Sequence, residues 1–71
     1  MDWDRIEGNW RQFKGRVKQQ WGKLTDDDID RINGRREELE GVLQETYGIA
    51  KDQARKDIDD FLKRFDKEAT A

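Results

Sequence analysis

Large apolar side chains recur along this chain three and four residues apart, with charged residues between them. At about 100° per residue, Trp3, Ile6, Trp10, Phe13, Val17, Trp21 and Leu24 fall within one stripe about 80° wide. Ile29, Ile32, Leu39, Leu43 and Tyr47 form a second stripe, with Val42 at its edge, and Ala54, Ile58, Phe61, Leu62 and Phe65 form a third. No alternating β-branched run competes, and the chain has no proline. Gly22 and Gly48 each follow an aromatic that ends a stripe, where a left-handed C-cap glycine belongs. Thr25 reads as the N-cap of the next helix, with Asp26, Asp27 and Asp28 against its positive end. The pattern predicts helices over 4–21, 26–46 and 51–66, the middle one open to a break near Asn33-Gly34. The expected fold is all-α, a small bundle of three to four short helices. Its predicted core is Ile6, Trp10, Phe13, Val17, Trp21, Leu24, Ile29, Ile32, Leu39, Leu43, Tyr47, Ala54, Ile58, Phe61, Leu62 and Phe65.

A second regularity overlies the stripes. Gly8, Gly15 and Gly22 recur 26 residues later as Gly34, Gly41 and Gly48. Residues 4–28 laid over 30–54 share seven identities in 25 positions, and Phe13/Leu39, Val17/Leu43 and Trp21/Tyr47 keep their character. This predicts a duplicated helical unit within one domain. Gly8, Gly15, Gly34 and Gly41 lie nearly opposite the apolar stripes. Either they are exposed and lower helix stability by ~1 kcal/mol each, or a partner backbone approaches them closely. In the first case the total, about 4 kcal/mol, rivals the ~3–5 kcal/mol that so small a core supplies. The expected fold is then a loose one.

Composition narrows the class. The chain has 71 residues, enough for a single domain over 1–71, with 67–71 expected as a frayed tail. Charged residues make up 45% and apolar residues 32%, and mean hydropathy is −1.30. Those values approach the disordered class, but the net charge is only −2 and the apolar residues are large and regularly spaced. Without cysteine, neither disulfides nor thiolate zinc sites can brace the fold. No segment is apolar enough for a signal peptide or a membrane span. The expectation is a soluble, cytoplasmic monomer.

The chemistry-bearing residues argue against an enzyme. There is no histidine, cysteine or serine, and the hydroxyls are Thr25, Thr46, Thr70 and Tyr47. A nucleophile needs an adjacent base, and the usual bases are missing. Glu38, Glu40 and Glu45 among Arg35 and Arg36 read as solvated partners on helix faces. Asp26, Asp28, Asp30 and Glu37 match positions 1, 3, 5 and 12 of a calcium-binding loop. However, Arg31 stands where that loop needs glycine, and Ile29 and Ile32 fit a continuous helix, so the acids read as a helix start. No catalytic residue, metal or cofactor is expected.

Nucleic acid is the alternative partner. Residues 8–24 carry Arg11, Lys14, Arg16, Lys18 and Lys23 with no acid, among Trp10, Phe13 and Trp21. The aromatics share the apolar stripe and read as core. The bases divide into one flank of Arg11, Lys14 and Lys18 and another of Arg5, Arg16 and Lys23; the first is the candidate nucleic-acid or partner contact. Residues 25–71 hold 9 bases and 14 acids, able to neutralise the basic helix from within.

Three segments carry a family resemblance. They are Gly8-Asn9-Trp10-Arg11-Gln12-Phe13-Lys14-Gly15, then Trp21-Gly22-Lys23-Leu24-Thr25-Asp26-Asp27-Asp28, then Tyr47-Gly48 with Lys51-Asp52-Gln53-Ala54. Over roughly residues 8–57 the chain resembles the CsbD-like bacterial stress-response family. The resemblance implies a bundle of about four short helices, expression under general or osmotic stress, and no enzymatic activity or cofactor. The chain also resembles the hydrophilins, a class of Gly-rich hydrophilic proteins made during water loss and defined by composition. The resemblance carries no functional residue onto this chain.

Overall fold

Thr25 begins its helix with a reciprocal cap. Its hydroxyl accepts from the Asp28 N–H at 3.1 Å, and the Asp28 carboxylate accepts from the Thr25 N–H at 3.1 Å. Two otherwise unpaired donors at the helix start are satisfied together. The computed structural model describes residues 2–69, with side chains through Phe65. Its helices are α1 (Trp3–Gly8), α2 (Trp10–Gln20), α3 (Asp26–Ile32), α4 (Arg36–Tyr47) and α5 (Lys51–Ala69). Helix is the only regular structure among the described residues.

The run expected as one helix over 4–21 is two, divided at Asn9. That residue leaves helical geometry at φ −119°, ψ 34°. Its backbone N–H reaches the carbonyls of Arg5 and Ile6 at 3.1 and 3.2 Å, and its side-chain amide donates to the Arg5 carbonyl at 3.0 Å. The Asn9 carbonyl in turn accepts from Gln12 and Phe13, at 2.9 and 3.3 Å. One asparagine therefore closes α1 and opens α2, using its side chain's ability to compete for backbone groups beside a weak helix former, Gly8.

The middle run breaks where Asn33-Gly34 allowed it to. Asn33 (φ +47°) and Gly34 (φ +81°) are both left-handed, a conformation open to these residue types. Gly48 caps α4 at φ +63° as expected. Gly22 does not repeat this: positive φ among the glycines is confined to Gly34 and Gly48. Trp21 itself is the C-cap of α2, at φ −122° and ψ 82°, and the chain turns through a bond from the Leu24 N–H to the Trp21 carbonyl at 3.1 Å. α5 extends three residues past the expected end, to Ala69; Thr70 and Ala71 lie outside the described residues. The sequence repeat thus turns its two corners differently, at Asn9 in one half and at Asn33-Gly34 in the other.

The core joins all five helices. It comprises Trp3, Ile6, Trp10, Val17, Trp21, Leu24, Ile29, Ile32, Leu39, Val42, Leu43, Ala54, Ile58, Phe61 and Phe65. Phe13, Tyr47 and Leu62, expected inside, are half-buried at its edge. Trp3 and Val42 join it instead. Trp3 is drawn in by the break at Gly34, whose carbonyl accepts from its indole N–H at 2.8 Å. An aromatic chain connects α2 to α5: Trp21 packs on Phe61 at 5.1 Å between centroids. Phe61 meets Phe65 edge-on at 4.7 Å, and Phe65 meets Phe13 edge-on at 5.3 Å. Such tilted and edge-on contacts suit the ring quadrupoles.

Candidate functional site

Arg11, Lys14 and Lys18 stand three and four residues apart on α2, so the helix aligns them on one face. α3 crosses that face and brings its acids to it. Lys14 Nζ lies 3.0 Å from Asp30 Oδ1, and Lys18 Nζ meets Asp26 Oδ1. The Lys18 ammonium, by hydrogen bond and by charge, holds the Asp26 carboxyl below its ordinary pKa, with a smaller pull from Lys14. Arg11 is exposed and makes no ion pair among the described residues. Of the candidate basic trio, two lysines therefore already face carboxylates.

The aromatics beside these bases are not a stacking platform. Trp10 and Trp21 are 7% and 5% exposed, and Phe13 is occupied by Phe65. Two residues of the other basic flank lie over aromatic rings. Arg16 lies 5.4 Å from the Phe65 centroid and Lys23 5.4 Å from that of Tyr47. The Tyr47 hydroxyl accepts from the Lys23 N–H at 3.3 Å.

The calcium-like acids are built into helices. Asp28 completes the Thr25 cap, Asp26 and Asp30 pair with lysines, and Glu37 belongs to the next helix. Arg31, where a calcium loop must turn sharply, lies within α3. No group of three or more potential ligands converges among the described residues.

One polar cluster departs from the expectation of solvated glutamates. Glu40 is buried, held by Arg36 Nε at 3.5 Å and Arg55 Nε at 3.4 Å. Arg36 continues to Asp59 through a 2.8 Å bond, so four charges pin α4 to α5. Glu45 pairs across helices with Arg31 at 3.6 Å, rather than with Arg35 or Arg36. The signal for Glu40 is present in the sequence: it sits three residues before Leu43 and one after Leu39, on the margin of the apolar stripe.

A third feature is what the back faces lack. A methyl group added at Gly8, Gly15 or Gly41 would meet no atom within 4 Å. At Gly34 it would meet the Glu7 backbone at 3.3 Å. The glycines therefore divide into three bare positions and one close approach.

Bare glycine faces, interhelical ion pairs and a thin aromatic core define a small, charge-dense helical bundle. Residues 4–56 match the CsbD-like family model, and the chain belongs to that family. It is 72% identical over 62 residues to the UPF0337 protein RPA4217 of Rhodopseudomonas palustris, covering 87% of this chain and 94% of that protein. It is 67% identical over 64 residues to the UPF0337 protein Atu4724 of Agrobacterium fabrum, covering 90% of this chain and 96% of that one. To the UPF0337 protein YjbJ of Escherichia coli K12 it is 56% identical over 64 residues, covering 90% and 93%. The match includes the segment before Gly8, where α1 and its break add a fifth helix to the four implied by resemblance. No helix among the described residues is long and apolar enough to cross a membrane.

Proposed function

We propose that this chain is a non-enzymatic, cytoplasmic, hydrophilin-like protein that protects cells under osmotic or general stress. The observation that carries the reading is its surface: among the described residues, no large hydrophobic side chain is exposed. Acids and bases interleave there as ion pairs between helices. A surface of this kind stays hydrated and resists association as water activity falls. Family membership supports the same direction. The test compares wild-type and deletion cells under osmotic, oxidative and heat stress, with re-expression of the wild-type chain. Survival of the deletion strain should fall under at least one of these and return on re-expression; unchanged survival under all three overturns the reading.

A second reading rests on the alignment of Arg11, Lys14 and Lys18, a basic face suited to nucleic acid or an acidic protein. Phosphates would have to displace Asp26 and Asp30 from the lysines, so binding should be weak and should fall steeply with salt. Lys14→Glu with Lys18→Glu should abolish it. No mobility shift at tens of micromolar protein in low salt ends this reading.

A further inference from the structure

We propose that Asn33-Gly34 is a self-modification site, held closed by the folded corner between α3 and α4 and deamidated when the bundle opens. This goes beyond the protective role above and does not depend on it.

The chain's two asparagines differ in reactivity. Asn9 is followed by Trp10, whose side chain crowds the backbone nitrogen between them, and its amide donates to the Arg5 carbonyl. Asn33 is exposed and is followed by glycine, which has no Cβ to shield its nitrogen. In deamidation the Gly34 nitrogen gives up its proton and bonds to Asn33 Cγ. The Cγ–Nδ2 bond breaks and ammonia leaves, carrying a proton in place of the one lost, and a five-membered succinimide remains. Water then opens that ring at either carbonyl, leaving aspartate or isoaspartate at position 33.

The folded corner forbids the first step. Ring closure needs the Gly34 nitrogen on the same side of the Asn33 Cα–C bond as Cβ. At φ +47° and ψ +39° that nitrogen lies on the opposite side, nearly anti to Cβ. Only ψ separates the two positions, because the peptide bond beyond it is rigid, so closure requires a large rotation about ψ. Three hydrogen bonds resist it. The Asn33 N–H donates to the Ile29 carbonyl at 3.2 Å and the Arg35 N–H to the Ile32 carbonyl at 2.9 Å. The buried Trp3 indole holds the Gly34 carbonyl at 2.8 Å, and Gly34 is itself buried beside the Glu7 backbone.

Opening the bundle removes all three bonds together, so the rate of deamidation follows the fraction of molecules that are open. A bundle of this size with bare glycines at positions 8, 15 and 41 has little stability holding it shut. The product then marks the event. Isoaspartate carries the main chain through Cβ, which lengthens the corner by one carbon and displaces the Gly34 carbonyl from the Trp3 indole. Ordinary aspartate still reaches the left-handed conformation and rebuilds the corner. Molecules kept open for long thus lose the ability to close as before.

The test incubates the full chain in mildly alkaline buffer, alone and in urea above its unfolding midpoint. Position 33 is followed by peptide mass mapping, with chromatography that separates aspartate from isoaspartate. In urea Asn33 should deamidate well ahead of Asn9. In buffer its rate should be at least about tenfold lower, the protection given by even a marginally stable fold. Gly15→Ala, on α2, should slow the buffer rate by up to about fivefold, and Thr25→Ala should speed it by a similar factor. Each change should match the variant's own shift in measured stability, and neither should alter the rate in urea. The purified isoaspartyl form should melt below Asn33→Asp. The proposal is overturned if Asn33 reacts as fast in buffer as in urea or fails to outpace Asn9 in urea. It is equally overturned if the buffer rate ignores the variants' stability, or if the isoaspartyl form melts like the wild type.

Discussion

A methyl group at position 34 would meet both a φ of +81° and the Glu7 backbone, whereas at positions 8, 15 and 41 it would meet open space. Gly8→Ala, Gly15→Ala and Gly41→Ala should therefore each raise stability by up to ~1 kcal/mol in urea unfolding. Gly34→Ala should lower it by about 1–2 kcal/mol, the strain of a left-handed residue bearing a side chain. Losses at all four would mean that another chain packs on the bare face, and the oligomeric state should then change with them. The indoles make a second contrast. Trp3 donates to Gly34, while the Trp10 N–H is buried with no partner among the described residues. Trp3→Phe leaves a buried carbonyl unpaired, at about 1–3 kcal/mol, while Trp10→Phe relieves an unpaired donor. In thermal melts Trp3→Phe should be the more damaging; the reverse order would remove the weight placed on the Trp3 bond.

At the scale of the helices, caps decide the boundaries. Thr25→Ala removes the acceptor for Asp28 and should cost about 1 kcal/mol. The Thr25 cap was legible because it is a local pattern of residue types, and the left-handed Gly48 was legible for the same reason; the reciprocal bond from Asp28 was not. The break at Asn9 was not, since Trp3, Ile6 and Trp10 point inward on either side of it and keep the stripe continuous. Gly22 misled in the opposite sense: its place after Trp21 matches a C-cap, but the chain uses Trp21 and a turn to Leu24. The α2–α3 pairs also make a prediction in acid. Asp26 has a folded pKa below its ordinary value of 3.8, so its contribution is present above that value. It is lost as pH falls through the folded pKa. Wild-type stability should drop more steeply than that of Asp26→Asn below about pH 4, as followed by circular dichroism. Parallel curves would mean that Lys18 and Asp26 are not paired in solution.

For the whole molecule, the aromatic chain from Trp21 through Phe61 and Phe65 to Phe13 ties α2 to α5. Phe61→Ala should cost about 3–5 kcal/mol, as much as a domain of this size has to lose. Most molecules of that variant should be unfolded at room temperature by tryptophan fluorescence and circular dichroism. A near-native melt would show that the bundle holds without this contact.

Helical class, the inward stripes, the Thr25 cap and the charge-dense surface were determined by the sequence alone, because each follows from residue type and spacing along a few turns. The corner at Asn9, the recruitment of Trp3, the burial of Glu40 between two arginines and the lysine–aspartate pairs across α2 and α3 were decided by the tertiary structure. Those features depend on which helix crosses which, and a single-helix periodicity holds no information about crossings. The candidate basic face is the clearest case. Arg11, Lys14 and Lys18 align by helical arithmetic, but Asp26 and Asp30 reach the lysines only because α3 folds back over α2.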